Sequence, residues 1–339
     1  MDKWSLRRSY ISFVLPVVLP VVLAACAGGG NVSIPSTVVP VPTLSALNPQ
    51  DPNVIGPTPN LEIETFNANS ETSGKVVSWQ IKEKNIFGEL VARDKFAYQT
   101  PDGKVYVFNT YTNPILPDSF HPDKNLRTKH DMQATDDGGK LFACCENGQR
   151  QYTGTTGNAV RYGAWIDKNG KADLFVGGIL ADATKMQGAT EENKFSPTGK
   201  ATYEVWALRV KNGGVVSSSY RPNTFPNKDG VQSLLTVNFN TGKLGGTIVG
   251  NSDFGADIRF DDVSVQGNRF SGSASSGGVA GKVEGAFYGR GGYRTPHGDQ
   301  IGGKVVFDKD RNLNSVFGGA TSNSMRNPND TSRDLNPIN

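Results

Sequence analysis

The chain has 339 residues, of which 36% are hydrophobic and 20% are charged. Its 35 basic and 32 acidic residues give a formal net charge of +3. Lys3, Arg7, Arg8 and Asp2 lie at the extreme N-terminus, and the rest of the chain is close to neutral. This balance gives no reason to expect nucleic acid or an anionic surface as a partner.

The N-terminus has the pattern of a secretory signal. Basic residues precede an apolar run from Ile11 to Val22, which leads into Leu23-Ala24-Ala25-Cys26. The run has roughly twelve residues, well short of the ~20 that a membrane-spanning helix needs. We therefore expect residues 1–25 to be a signal peptide that is removed on export.

The end of this signal, Leu-Ala-Ala-Cys, resembles the lipobox of bacterial lipoproteins, in which the peptidase cuts before a cysteine that carries lipid. The resemblance implies acylation at Cys26, and several acyl chains on one residue give stable anchoring. Ala27, where inner-membrane lipoproteins have Asp, implies the outer membrane and a cell-surface location. An ordinary secretory signal with a chance cysteine is the alternative.

Residues 26–60 are expected to form a tether. Three glycines, Gly28 to Gly30, precede many prolines, and no hydrophobic periodicity is sustained. Glycine gives flexibility and proline favours extended polyproline II, so this segment should hold the folded part away from the membrane.

The adjacent cysteines Cys144 and Cys145 are the other two of the chain's three. Two free thiols are unusual in an oxidising compartment, so we expect a disulfide between them. Such a vicinal disulfide is strained, because neighbouring side chains of a strand point to opposite faces. A zinc or haem-thiolate site is the alternative, although no histidines cluster beside the pair.

The remaining chain is long enough for two domains and has almost no helical signal. Short runs of alternating apolar residues are separated by Gly, Asn, Asp and Pro, which is typical of antiparallel strands. We predict an all-β protein, in which a β-sandwich-like domain over 61–150 precedes an antiparallel barrel of about eight strands. In the first domain, strands are expected at Val76–Ile81, Leu90–Tyr98 and Lys104–Thr110.

The second domain is expected over 151–325, followed by a polar tail over 326–339. Its candidate strands are 162–166, 172–179, 202–210, 215–220, 234–239, 244–249, 258–265, 269–274, 282–288, 302–307 and 313–317. Closing such a sheet into a barrel removes its edges. If every connection reverses direction, the long loops 180–200, 221–230 and 250–256 share one rim. Residues 289–299 form a further long loop that does not fit this alternation.

Glycine-aromatic motifs recur in the last third of the chain. They are Gly267-Asn268-Arg269-Phe270-Ser271-Gly272, Gly285-Ala286-Phe287-Tyr288-Gly289 and Phe317-Gly318-Gly319-Ala320. In this order they resemble the C-terminal barrel of transferrin-binding protein B and related surface lipoproteins of Neisseria- and Kingella-type bacteria. Within that group, a single lobe behind a Pro-rich tether is most like the haemoglobin-haptoglobin utilisation lipoproteins. The segment from Arg290 to Gln300 is longer than the family pattern.

The resemblance implies capture of haemoglobin or haemoglobin-haptoglobin for haem-iron acquisition, together with a TonB-dependent outer-membrane receptor. It implies no cofactor beyond haem carried by the partner. Apolar and aromatic residues in long connections are the candidate contacts, because aromatic residues and Arg dominate interface energies. These candidates are Ile115, Leu116, Phe120, Tyr293 and Arg294.

Two other functions stay open. A direct haem binder would use His121, His130 or His297 as an axial ligand, and a binder of another host protein would take transferrin or factor H. An enzyme is not expected, because the sequence has no nucleophile elbow, metal triad or phosphate loop and only three histidines. No metal site is expected either.

Overall fold

The computed structural model describes residues 41–69, 73–109, 112, 128–144, 159–186, 199–219, 233–292 and 295–321. The described strands are β1 (Val54–Pro57), β2 (Ile63–Asn67), β3 (Lys75–Lys84), β4 (Leu90–Gln99), β5 (Val105–Val107), β6 (Lys129–His130), β7 (Gln133–Ala134), β8 (Lys140–Cys144), β9 (Val160–Ile166), β10 (Ala172–Ile179), β11 (Lys200–Lys211), β12 (Gly214–Ser217), β13 (Leu234–Asn238), β14 (Lys243–Ile248), β15 (Ile258–Gln266), β16 (Arg269–Ser276), β17 (Val279–Gly292), β18 (Thr295–Val306) and β19 (Ser315–Thr321). Two short 3-10 helices occur at Ala183–Lys185 and Arg311–Leu313. None of the described helices is long and apolar enough to cross a bilayer. The predicted all-β fold is confirmed.

Sheets 1 and 2 form a sandwich. Sheet 1 has the order β1-β3-β4-β5 and sheet 2 the order β2-β10-β9-β8-β7. Between them lies an aromatic core in which Tyr98 stacks on Trp165 and Phe175, with ring centroids 5.8 and 4.6 Å apart. Alternating strand positions supply these residues, because every second side chain of a strand points to the same face.

The other face of sheet 2 packs on the outside of a barrel, so sheet 2 is a central layer. Its strands β9 and β10 are buried on both faces. Tyr162 and Val176 pack against Trp206 and Tyr288 of the barrel wall. A strand that is buried on both sides has a continuous apolar run, and the segment Val160–Ile166 has that character.

The barrel consists of eight antiparallel strands, β13 to β19 followed by β11, and closes through pairing of β11 with β13. Within β11, Tyr203 and Val205 point into the barrel, whereas Trp206 points out toward sheet 2. Strand β19 shows the same alternation. The predicted barrel of about eight strands is confirmed.

Two glycines of the barrel wall allow sheet 2 to approach closely. A Cβ on Gly302 would lie only 2.7 Å from Val176 Cγ2, and one on Gly318 would clash with the ring of Tyr162. Gly318 belongs to the Phe317-Gly318-Gly319-Ala320 motif, which therefore lies on the wall that sheet 2 covers.

The predicted tether over 26–60 is too long. Residues 42–47, which we call the strap, bond to both sandwich sheets: Leu44 N donates to Ala134 O and Leu47 N to Val105 O, both at 2.8 Å. Strand β1 follows and pairs with β3. The proline content suggested a tether. Proline is also compatible with an edge strand, because a position that faces away from the sheet needs no N–H to pair with a neighbouring strand.

The predicted boundary at residue 150 falls within one sheet. Strand β8 lies before this boundary and β9 after it, yet Leu141 pairs with Trp165 and Phe142 with Ala164. Val41 to Asn339 belong to one compact unit. Pairing between strands that are joined by a long connection leaves no local signal in the sequence. The sequence therefore gave no indication that β8 and β9 belong to the same sheet.

The predicted common rim for the three long loops is wrong. Strands β12 and β13 both run antiparallel to β11 along the same edge, so their connection does not reverse the chain. From β13 onward, the barrel end at which each connection lies is therefore the opposite of the one predicted. Gly199 lies at one barrel end, beside Phe239, whereas Phe254 lies at the other, beside Arg209.

The predicted long loop at 289–299 is mostly strand. Strands β17 and β18 continue past the barrel, with Arg290 paired to His297 and Gly292 to Thr295. Glycine and proline in this stretch suggested a loop. The register shift between Tyr288 and Arg290 shows that a bulge absorbs the irregularity instead.

Candidate protein-binding end

Two hairpins extend from the same end of the molecule. Thr58, in the link between β1 and β2, bonds through Oγ1 to Ser78 Oγ at 2.8 Å and to Asp94 Oδ1 at 3.2 Å, on the β3–β4 hairpin. Two residues later, Asn60 O accepts from Arg290 Nη2 at 3.4 Å, on the β17–β18 hairpin. We call the link 58–62, the tip 85–90 and the described residues 289–292 and 295–297 of the β17–β18 extension the hairpin end.

The β3–β4 hairpin is exposed on both faces in its outer half. From Lys82 to Asp94 every residue is exposed except Asn85 and Val91, which are half-buried. Two of its turn residues are the most exposed large hydrophobic residues described: Ile86 at 92% and Phe87 at 79%. Leu90 adds a third apolar side chain at 58%.

Asn85 holds this tip in one conformation. Its side-chain Oδ1 accepts from Phe87 N at 2.9 Å and from Glu89 N at 3.0 Å. Its Nδ2 donates to Glu89 Oε2 at 2.9 Å. Gly88 completes the turn at a φ of +83°, which a side chain would strain. Ile86 and Phe87 are therefore presented to solvent by a preformed turn.

No contact residue was predicted from the sequence at this tip. The flanking strands were predicted, but a short turn has no hydrophobic periodicity that would draw attention to it. The available signal was an apolar pair between an Asn and a Gly, both turn residues, flanked by charged strand ends. Large apolar side chains in such a turn have no core to enter.

All five predicted contact residues lie outside the described residues: Ile115, Leu116, Phe120, Tyr293 and Arg294. So do the predicted acylation site Cys26, the candidate haem ligand His121 and the predicted disulfide partner Cys145. Their predicted roles stay predictions. The described flanks of Tyr293 and Arg294 belong to the β17–β18 extension.

His130 lies inside the fold, between sheet 2 and the barrel wall. Its ring is 5.0 Å from that of Phe142 and 5.2 Å from that of Trp206, between centroids. Nε2 lies 2.8 Å from Ser217 Oγ. This packing fixes the neighbouring strands β6 and β12 and disfavours His130 as an axial haem ligand.

His297 lies on the extension at the hairpin end, and is half-buried. Its charge contributes slightly to the lowered pKa of Asp182, which is caused chiefly by hydrogen bonds from the Thr184 hydroxyl and backbone N–H. His130 and His297 thus belong to different parts of the fold. Within the ranges that the structure describes, no three His, Cys, Asp or Glu side chains could hold a metal ion.

Cys144 is buried and disulfide-bonded. Its Sγ lies 3.3 Å from the Tyr162 hydroxyl oxygen. A sulfur in a disulfide is not a thiolate, which disfavours the zinc and haem-thiolate alternatives at Cys144. The expected bond to Cys145 stays a prediction.

The fold is that of a β-sandwich packed on an eight-stranded barrel, and the hairpin end presents large apolar side chains to solvent on a hydrogen-bonded turn. The chain belongs to the HpuA family, described as "Haemoglobin-haptoglobin utilisation, porphyrin transporter", whose model matches residues 94–338. The resemblance inferred from the glycine-aromatic motifs is confirmed. The family description is that of a transporter and not of an enzyme.

Two solved structures of HpuA agree with this membership. HpuA from Kingella denitrificans in complex with human haemoglobin is 40% identical, covers 84% of this chain and 95% of that chain, and has a TM-score of 0.71. The apo haemoglobin receptor HpuA from the same organism is 39% identical, covers 88% of this chain and 100% of that chain, and has a TM-score of 0.70. A more distant similarity is to transferrin binding protein B from Neisseria meningitidis, which is 18% identical, covers 77% of this chain and 43% of that chain, and has a TM-score of 0.43. Among curated proteins, none matches this chain.

Proposed function

We propose that this chain captures haemoglobin, free or bound to haptoglobin, for haem-iron acquisition and performs no catalysis itself. The observation that carries the proposal is the 40% identity, across most of both chains, to an HpuA that is in complex with human haemoglobin. The hairpin end supplies a surface of the right kind, since exposed apolar residues on rigid turns are typical of protein recognition.

The environment of His130 favours capture of a whole protein over haem ligation by this residue. Its ring is packed against two aromatic rings and its Nε2 is bonded to Ser217. Ligation of haem iron by His130 would require these contacts to break. In this proposal haem reaches the chain inside its protein partner.

The lipid anchor and the receptor partnership are part of the same proposal. An acyl anchor at Cys26 would hold the folded part of the chain at the outer membrane. A TonB-dependent receptor in the same outer membrane would receive the captured haemoglobin.

The proposal is tested with purified chain from which the signal peptide has been removed. Immobilised protein is exposed to human haemoglobin, haemoglobin-haptoglobin, transferrin, factor H and free haem in separate channels. We expect saturable binding of haemoglobin in both forms, with no Soret shift when haem alone is added. Binding of transferrin or factor H without haemoglobin, or a Soret shift with haem alone, would contradict the proposal.

A further inference from the structure

The β3–β4 tip combines two properties of an interaction hot spot, which are large apolar side chains and a fixed geometry. Ile86 and Phe87 are almost fully in water, although their transfer out of water would be favourable. The Asn85 bonds and the Gly88 conformation hold them there. The turn is therefore already ordered before binding. Ordering of loops is one of the entropic costs of association, and this turn avoids it.

The charges around the tip argue for a protein partner. Between Lys82 and Asp94 there are three basic residues, Lys82, Lys84 and Arg93, and three acidic ones, Glu83, Glu89 and Asp94. A tip that inserts into an anionic bilayer has an excess of basic residues, which this hairpin lacks.

We propose that Ile86 and Phe87 are the apolar anchor of the interface with haemoglobin and enter a pocket on the globin surface. Leu90 extends the same apolar surface along β4. The mixed charges of the hairpin form the polar rim around the anchor. This inference rests on the proposed function and names the residues that carry most of its binding energy.

The test compares three variants with wild-type chain by the equilibrium Kd for human haemoglobin. The double variant Ile86→Ser with Phe87→Ser should weaken binding at least about tenfold, the loss expected of a hot-spot pair. Asn85→Ala keeps both apolar side chains but frees the turn, and should weaken binding by about three- to tenfold. Val41→Ser, which changes an exposed apolar residue beside the strap, should leave Kd unchanged.

The melting temperature should stay at the wild-type value in all three variants, because none of the altered side chains is buried in a core. If wild-type chain binds and the double variant binds within threefold of it, the anchor is wrong and the proposed function stands. If wild-type chain does not bind haemoglobin, both fall. Loss of self-association or of binding to anionic vesicles, with haemoglobin binding intact, would assign the tip to a different occupant and overturn the inference.

Discussion

At the scale of single residues, the sandwich depends on a buried carboxylate. Asp173 on β10 is 3% exposed and accepts hydrogen bonds from Tyr98 Oη at 2.6 Å, Asn67 Nδ2 at 2.9 Å and Gly74 N at 3.1 Å. These donors come from β4, from β2 and from the segment before β3, so one side chain joins both sheets. Burial raises the pKa of Asp173, and its hydrogen bonds only partly offset that effect.

The raised pKa sets a pH dependence. A carboxyl whose pKa is higher in the folded state binds a proton more readily when folded, so stability falls as pH rises from its unfolded pKa of ~3.9 through the folded value. Asp173→Asn removes this ionisation but places an amide NH2 group against at least one of these three donors, and should destabilise the protein by about 1–3 kcal/mol at low pH. The difference in free energy of unfolding between wild type and Asp173→Asn should become smaller as pH rises to 7, because only the wild type loses stability. The change should be about 1.4 kcal/mol for each unit by which folding raises the pKa of Asp173.

Urea unfolding of wild type and Asp173→Asn at several pH values between about 3.5 and 7 measures this difference. Other carboxyls contribute equally to both proteins and cancel. A deficit that grows with rising pH would mean that the pKa of Asp173 is lowered in the fold.

At the scale of elements, the loop 249–257 is held to the barrel by Arg209 of β11. This guanidinium is fully buried, donates to Phe254 O at 2.8 Å, Ser315 Oγ at 2.9 Å and Leu313 O at 3.1 Å, and stacks on the ring of Phe254. Burial lowers the pKa of Arg209 to about 10, so it remains charged at neutral pH. Among the described residues, backbone carbonyls and serine hydroxyls are its direct partners, and the charge of Asp310 partly offsets the effect of burial on its pKa.

Arg209→Met keeps the length of the side chain but removes every donor. The carbonyls of Phe254 and Leu313 then lose a buried partner, and the free energy of unfolding should fall by about 2–3 kcal/mol. Hydrogen exchange should accelerate first in 250–257. Lys243→Met, which removes an exposed pair with Asp262, should change stability by less than about 0.5 kcal/mol. Unchanged exchange in 250–257 would show that other contacts hold this loop.

At the scale of the whole molecule, sheet 2 couples all three layers. It shares one core with sheet 1 and another with the barrel, so neither neighbour can unfold without exposing apolar surface of sheet 2. The strap adds Leu44, which is 8% exposed and packs in the core of the sandwich. We therefore expect Val41–Thr321 to unfold as one cooperative unit.

Leu44→Ala tests this coupling. Loss of a buried leucine should lower the free energy of unfolding by about 2–4 kcal/mol, and the transition should shift without splitting in two. Val41→Ala, at a position that is 57% exposed, should have little effect. Tyrosine and tryptophan fluorescence, followed with far-ultraviolet circular dichroism, should give coincident transitions; separate transitions for the sandwich and the barrel would contradict a shared central layer.

The sequence by itself determined the local character of each segment. Alternation of apolar residues identified strands such as Leu90–Tyr98 and Ile258–Val265 to within a few residues, and the glycine-aromatic motifs identified the barrel and its family. These properties are local or are carried by short motifs, so they can be inferred without knowing which strands pair. The predicted signal peptide and the predicted acylation of Cys26 also rest on local patterns, and both stay predictions.

Only the tertiary structure decided how the strands are assembled. Pairing of β8 with β9 placed one sheet across the expected boundary, and the parallel course of β12 and β13 put Gly199 and Phe254 at opposite barrel ends. It also placed Ile86 and Phe87 beyond the reach of any core. Pairing partners, register and exposure depend on contacts between residues far apart in the chain, and a local pattern of polarity does not encode them.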